Sequence, residues 1–288
     1  MLVQRVKTTG RFWLAGLAVA CAGLARADDA EWAIYVMKAD GSAARRVCRV
    51  EGFLAHGSAR WSHDGKRLAF DVSGGPNGAR KIFVVDVTGE SLREIGENAA
   101  TPDWAPDDKQ LIFMRFGGEP STWVQNLDGQ GLTRLAAATC AHWSADGNQI
   151  LFMDAAERSL LSLDLASEDQ RVLLEGKYAR IEPGFDWSPD AKRVAMIGVY
   201  PNDSRELLIL EADGSQRVRL DKGRLEGAVS WSPDGKRLAM SVDFKVVILD
   251  ADGNAPAGIV PGQTGRSTDP AWSPDGKWLV FGSDRAAE

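Results

Sequence analysis

Histidine and cysteine are both scarce, with three of each in 288 residues. His56, His63 and His142 stand singly, so the several convergent imidazoles of a metal-dependent lyase are missing. His63 occupies a turn and reads as surface filler, and His56 reads as a solvated loop residue. Cys21 falls near the N-terminus, leaving Cys48 and Cys140. The repeat described below sets that pair on roughly opposite sides of a ring, beyond the Cα separation of about 7 Å that a disulfide spans. Both therefore read as small buried fillers. Also missing are a G-x-S-x-G elbow, a phosphate-cradling glycine loop and any stretch of helical period. The formal charge is -6 and no basic stripe interrupts it, which excludes a nucleic-acid surface driven by counterion release.

Long apolar runs are missing too. The run from Phe12 to Leu24 falls short of the roughly 20 residues of a membrane span, and no second run approaches that length. Arg5, Lys7 and Arg11 precede it, and Ala25-Arg26-Ala27 follows it ahead of Asp28 and Asp29. Basic start, short apolar run and A-x-A site predict a removable signal peptide over 1–27, and a mature domain over 28–288. A retained anchor and a lipoprotein cut ahead of Cys21 are the alternatives, although Ala18-Val19-Ala20 lacks the leucine usual three residues before such a cysteine.

What is abundant is repetition. Trp61, Trp104, Trp143, Trp187, Trp231 and Trp272 recur 43, 39, 44, 44 and 41 residues apart. Each opens a hexad such as Trp231-Ser-Pro-Asp-Gly-Lys236, with an aspartate always three residues on. Proline presets φ in such a turn, aspartate bonds its own backbone and glycine supplies positive φ. Asp108 and Ala191 replace the glycine and predict less ideal turns. An apolar triplet follows every hexad, from Leu68-Ala69-Phe70 to Leu279-Val280-Phe281. A second hairpin comes next, with strands such as Lys81–Val85 and Lys245–Leu249 and turns such as Ala212-Asp213-Gly214. Four short strands per 40-odd residues, repeated radially, predict an all-β propeller of six four-stranded blades. The chain after the leader opens with a second hairpin (32–50) and closes with a first (267–284), so pairing the two shuts the ring and removes exposed sheet edges.

The Trp-Ser-Pro-Asp-Gly-Lys hairpin, its apolar strand and the following Asp-Gly turn resemble the repeat of TolB-like propellers, over residues 32–284. The resemblance implies six blades, a periplasmic home and a protein partner in the cell envelope, such as the peptidoglycan-associated lipoprotein of the Tol–Pal assembly. The family's namesake carries an α/β domain before its propeller, whereas here only the leader precedes the first strand.

Candidate site residues come from the position before each tryptophan: Arg60, Asp103, His142, Asp186, Ser230 and Ala271. The first four are ionisable and lie on strands expected to be innermost, so Arg60, Asp103, His142 and Asp186 read as a polar channel mouth for a peptide or a cation. A satisfied interblade contact is the plainer reading of the same residues. No cofactor, metal site or catalytic constellation is expected, and a calcium loop is excluded because each turn aspartate sits on a separate blade. The function expected is a monomeric, non-enzymatic protein-binding scaffold in the periplasm. The alternatives are a propeller hydrolase or lyase acting on a saccharide or envelope polymer, and an accessory lid for a separate enzyme.

Overall fold

Each apolar triplet is buried on both sides because consecutive strand residues face opposite ways and a blade is covered on both faces by its neighbours. Val280 and Phe281 are both fully buried. Val280 packs with Ile34 and Val36 against Ala59, Leu68 and Phe70, while Phe281 joins Tyr35 and Met37 against Ala239 and Val246. Interblade packing thus replaces a single central core.

The computed structural model describes residues 31–136, 138–220, 225–252 and 258–285. The expected leader lies outside them. The described residues form six antiparallel sheets arranged as a six-bladed propeller. Blade I spans 55–97, blade II 99–136, blade III 138–174, blade IV 180–220 and blade V 225–259. Blade VI joins the two ends of the chain: Ala33–Lys38 pairs with Trp278–Ser283 in a six-residue register from Ala33 opposite Ser283 to Lys38 opposite Trp278. The closure expected from the sequence is present. Tyr35 Oη also donates to the Arg285 carbonyl at 2.9 Å across that seam.

The tryptophan hairpin is held more tightly than the turn residues alone require. Ser62 Oγ donates to Asp64 at 2.6 Å, the Lys66 amide donates to the same carboxylate, and the Arg67 amide donates back to Ser62 Oγ. Ser144, Ser188, Ser232 and Ser273 repeat the serine–aspartate bond. These hydroxyls hold the carboxyls of Asp64, Asp146, Asp190, Asp234 and Asp275 below their ordinary range. Arg67, Arg193 and Arg237 each lay a guanidinium over the tryptophan of the following blade, at 4.9, 4.5 and 4.6 Å from the ring centre.

Where glycine is replaced, the turn keeps its shape: φ is +57° at Asp108 and +54° at Ala191, against +67° at Gly235. Asp108 gains from the exchange, because its carboxylate accepts the His63 and Asp64 amides of blade I at 2.8 and 2.9 Å. Ala191 has no such return, and a left-handed alanine costs about 1 kcal/mol or more. Ala191→Gly is therefore expected to stabilise the fold by about 0.5 kcal/mol after the entropy of glycine is counted. Asp108→Gly is expected to destabilise it by about 1–2 kcal/mol. Urea denaturation read by tryptophan fluorescence checks both, and equal signs for the two would contradict the assignment.

Cys48 and Cys140 are free and buried, as expected, and burial pushes the Cys48 thiol up to about 12 and raises that of Cys140.

Candidate functional site

The innermost strands run toward their tryptophans, and five of them break register shortly before arriving: between Gly57 and Arg60, Ala100 and Asp103, Thr139 and His142, Glu226 and Val229, and Thr268 and Ala271. Each irregularity holds a left-handed residue, with φ of +48° at Ser58, +53° at Thr101, +48° at Cys140, +66° at Gly227 and +52° at Asp269. In blade IV the inner strand is split into Arg180–Ile181 and Asp186–Trp187. Bulges re-aim side chains. Here they bend the backbone where it borders the central channel.

Two cavities mark the ends of that channel. One, of about 190 Å³, lies where the inner strands begin, and the other, of about 160 Å³, lies at the tryptophan turns. Arg60 lines both. Of the other sequence candidates, Asp103 and Asp186 line the turn-side cavity and His142 the opposite one. The four come together at the waist. His142 Nδ1 is 3.6 Å from the Asp103 carboxylate, and the Arg60 charge acts on both Asp103 and Asp186.

The aspartates at this level also bridge blades. Asp103 accepts the Trp143 amide at 3.0 Å, Asp186 accepts the Trp231 amide at 2.9 Å, and Ser230 Oγ takes the Trp272 amide at 3.3 Å. Position for position, the residue before one tryptophan receives the next tryptophan's N–H. The two carboxyls nevertheless differ. Burial opposes ionisation of both, but His142 and Arg60 overcome it at Asp103, which lies below its ordinary range, whereas Asp186 is raised.

The wider cavity holds groups that the repeat does not announce. Asp71 accepts the Thr101 amide at 2.8 Å, and Asp269 accepts the amides of Ala228 at 2.9 Å and Ser58 at 3.4 Å, tying blades V, VI and I. Glu157, Glu182 and Glu226 line the same space. Burial raises the carboxyls of Asp71, Asp269, Glu157 and Glu182. Glu182 meets Arg180 at 2.6 Å and Arg205 at 3.5 Å, and Arg80 lies 5.0 Å over the Phe116 ring. One signal was available: Asp71 directly follows the Leu68-Ala69-Phe70 triplet, a charge inside an apolar strand.

His56 corrects the expectation of a solvated loop residue. The inner strand of blade I starts earlier than its pattern suggests, at Ala55, and His56 is 1% exposed. Its Nε2 accepts the Val50 amide at 2.9 Å, and burial with Arg49 nearby lowers its pKa to about 4. His63 is half exposed, in line with the surface reading. The sign at His56 follows from the unfolded chain binding a proton near pH 6.5 that the folded chain refuses until about pH 4, so stability is lost as pH falls through that window. The raised carboxyls pull the opposite way, and a difference measurement cancels them. The stability advantage of wild type over His56→Gln is expected to shrink by about 2 kcal/mol between pH 7.5 and 5. Parallel pH profiles in urea denaturation would show His56 to be protonated alike in both states.

Among the described residues no group of three or more His, Cys, Asp or Glu side chains is placed to hold a metal ion, and no helix is long and apolar enough to cross a membrane.

A family profile described as the TolB beta propeller domain matches residues 28–226 and 163–288. Among solved structures, a putative TolB from Agrobacterium tumefaciens superposes with a TM-score of 0.71 at 17% identity, covering 88% of this chain and 98% of its own. TolB from Acinetobacter baumannii gives 0.60 at 16%, covering 89% of this chain and 65% of its own. The hydrazine synthase of Kuenenia stuttgartiensis gives 0.55 at 15%, covering 77% and 72%. Likeness at these identities concerns the fold alone, and one fold serves many functions.

Proposed function

The chain belongs to the TolB beta propeller domain family, and from that premise we propose that it is an exported, non-enzymatic scaffold that holds a protein of the cell envelope at the mouth of its central channel. The observation that carries this is the convergence of Arg60, Asp103, His142 and Asp186, from four different blades, on one channel with a cavity at either end. Loops and channel ends on a rigid frame suit recognition. An oxygen of Asp103 and one of Asp186 each receive a backbone amide of the next blade, a task in holding the ring that asks no proton transfer of either carboxylate.

In this reading residues 1–27 are a leader removed on passage to the periplasm, the mature protein is a monomer, and a lipoprotein is a fitting partner. Mass spectrometry of the mature N-terminus tests the leader, and a chain still beginning at Met1 contradicts it. For the scaffold, the tagged protein is used to capture partners from envelope extract. Wild type is expected to retain one dominant envelope protein. Asp186→Asn with Asp103→Asn, which remove charge but keep an acceptor for each amide, are expected to weaken that capture at least tenfold. Unchanged capture by the double variant rejects the channel mouth, and co-purification of glycan alone favours an enzyme acting on a saccharide.

A further inference from the structure

Glycine makes the most distinctive part of the wider cavity. A Cβ at Gly57 would stand 2.8 Å from Asp269 Oδ2 and 3.9 Å from Asp71 Oδ1, and one at Gly227 would collide with Asp269 Oδ1. The two carboxylates are therefore neighbours across backbone that carries no side chain. Their hydrogen bonds come from neutral groups, the amides of Thr101, Ala228 and Ser58 and the hydroxyls of Ser58 and Thr268. Among the described residues, no ion pair is made by either.

Arg80 acts on Asp71 and Arg60 on Asp269 without a contact ion pair. Arg205 is held by Glu182 and donates to the Leu225 carbonyl. Arg80 lies over Phe116. Arg60 sits at the waist, where its charge is shared among Asp103, Asp186 and Asp269. Among the described residues that line this space, carboxyl groups outnumber guanidiniums.

A second observation is independent of the charge. His142 is 4% exposed, and with Nδ1 turned to the Asp103 carboxylate its proton belongs there. Nε2, at the ring edge away from Asp103, is buried with no hydrogen-bond partner. Since His142 lines the wider cavity while Asp103 lines the other, this lone pair is an acceptor awaiting a donor. His56 offers the complement: Nε2 accepts from Val50, so the proton resides on Nδ1, which is also buried and unpartnered. An anion would meet the carboxylates, whereas a group rich in N–H donors and attached to a carbonyl-bearing chain satisfies both imidazoles.

We propose that the wider end of the channel is a receptor for an organic cation, an alkylammonium or guanidinium group, whose natural source is a basic side chain of the docking partner. This deepens the scaffold reading and rests on it for that source. The charged head meets Asp71 and Asp269, His142 Nε2 accepts one of its protons, and the methylene stem lies along Met114 and Phe116.

The test is isothermal titration of the whole mature protein at low salt with N-acetyl-lysine methylamide, its arginine counterpart, its isosteric norleucine counterpart, cadaverine and calcium chloride. The basic amides are expected to bind at least tenfold more tightly than norleucine. Asp71→Asn and Asp269→Asn, with near-UV circular dichroism unchanged, are expected to lose that preference. Should a variant fail to fold, the wild-type comparison of lysine with norleucine decides alone. Lysine amide outbinding cadaverine assigns the site to a peptide, and the reverse order assigns it to a free polyamine; both support a cation receptor. Equal binding of lysine and norleucine overturns the proposal, as does heat from calcium alone. Loss of this preference beside a successful capture leaves the scaffold standing, whereas a clear preference beside failed capture removes the scaffold only.

Discussion

Val280→Asp is expected to open the ring. Val280 faces Val36 across the seam that joins the two ends of the chain, and it is fully buried against blade I. A carboxylate placed there has no cation to meet, and an unpaired buried charge together with lost apolar contact costs about 4 kcal/mol or more. The consequence differs from that of the same change elsewhere. Leu151 occupies the matching position in blade III and is equally buried, but there the four strands follow one another along the chain. In blade VI the strands Ala33–Lys38 and Arg45–Cys48 join their sheet by pairing and packing, with no chain connection to Trp278–Ser283. Val280→Asp should therefore release residues 33–48 to limited proteolysis and lower the urea midpoint, whereas Leu151→Asp should lower the midpoint without preferential N-terminal cleavage. Identical cleavage patterns for the two variants would mean that the seam is no weaker than any other strand pair.

Asp269→Ala is expected to destabilise the fold by about 3 kcal/mol. Its carboxylate receives amides from blades V and I while itself belonging to blade VI, so truncation strands two N–H groups, each worth about 1–3 kcal/mol when left unsatisfied. The backbone adds to the loss, since φ is +52° and aspartate or asparagine tolerates the left-handed region better than alanine. Relief of the buried charge works in the opposite direction and keeps the total below the sum. Asp269→Asn, which retains one acceptor and the backbone preference, should recover at least half of the difference. Urea denaturation at pH 7.5 measures both, and an alanine variant as stable as wild type would refute the three-blade tie.

The contrast between Asp269 and the tryptophans shows what could be read from the chain. The hexads repeat because every blade needs the same turn and the same ring contact, so six copies of one pattern disclosed the blade, the count and the closure. The residue before each tryptophan inherited its place from that pattern, and Arg60, Asp103, His142 and Asp186 accordingly meet at the waist. Asp71 has no such lineage. The residues that follow the triplet in the other blades are Met114, Met153, Ile197, Ser241 and Gly282, so the carboxylate is a departure from the repeat and alignment passes over it. Asp269 was hidden differently: it lies at a bulge, and a bulge changes which side of a strand a residue faces without leaving a mark in the hydrophobic alternation. His56 was misjudged for a related reason, because the bulged inner strand reaches further from its tryptophan than a regular one of that pattern would. Repetition encodes the frame, and exceptions to it furnish the channel.

The seam in blade VI also sets an order of events during synthesis. Tyr35 and the Arg285 carbonyl it contacts are 250 positions apart, so the earliest strands leave the ribosome long before their neighbours exist. Contacts that distant are made late and slowly. Five blades can assemble from consecutive segments while the first hairpin waits with its backbone edge uncovered, which is the state most open to capture by a chaperone or by another nascent chain. A protein built this way commits to its final shape only when the strand Trp278–Ser283 arrives.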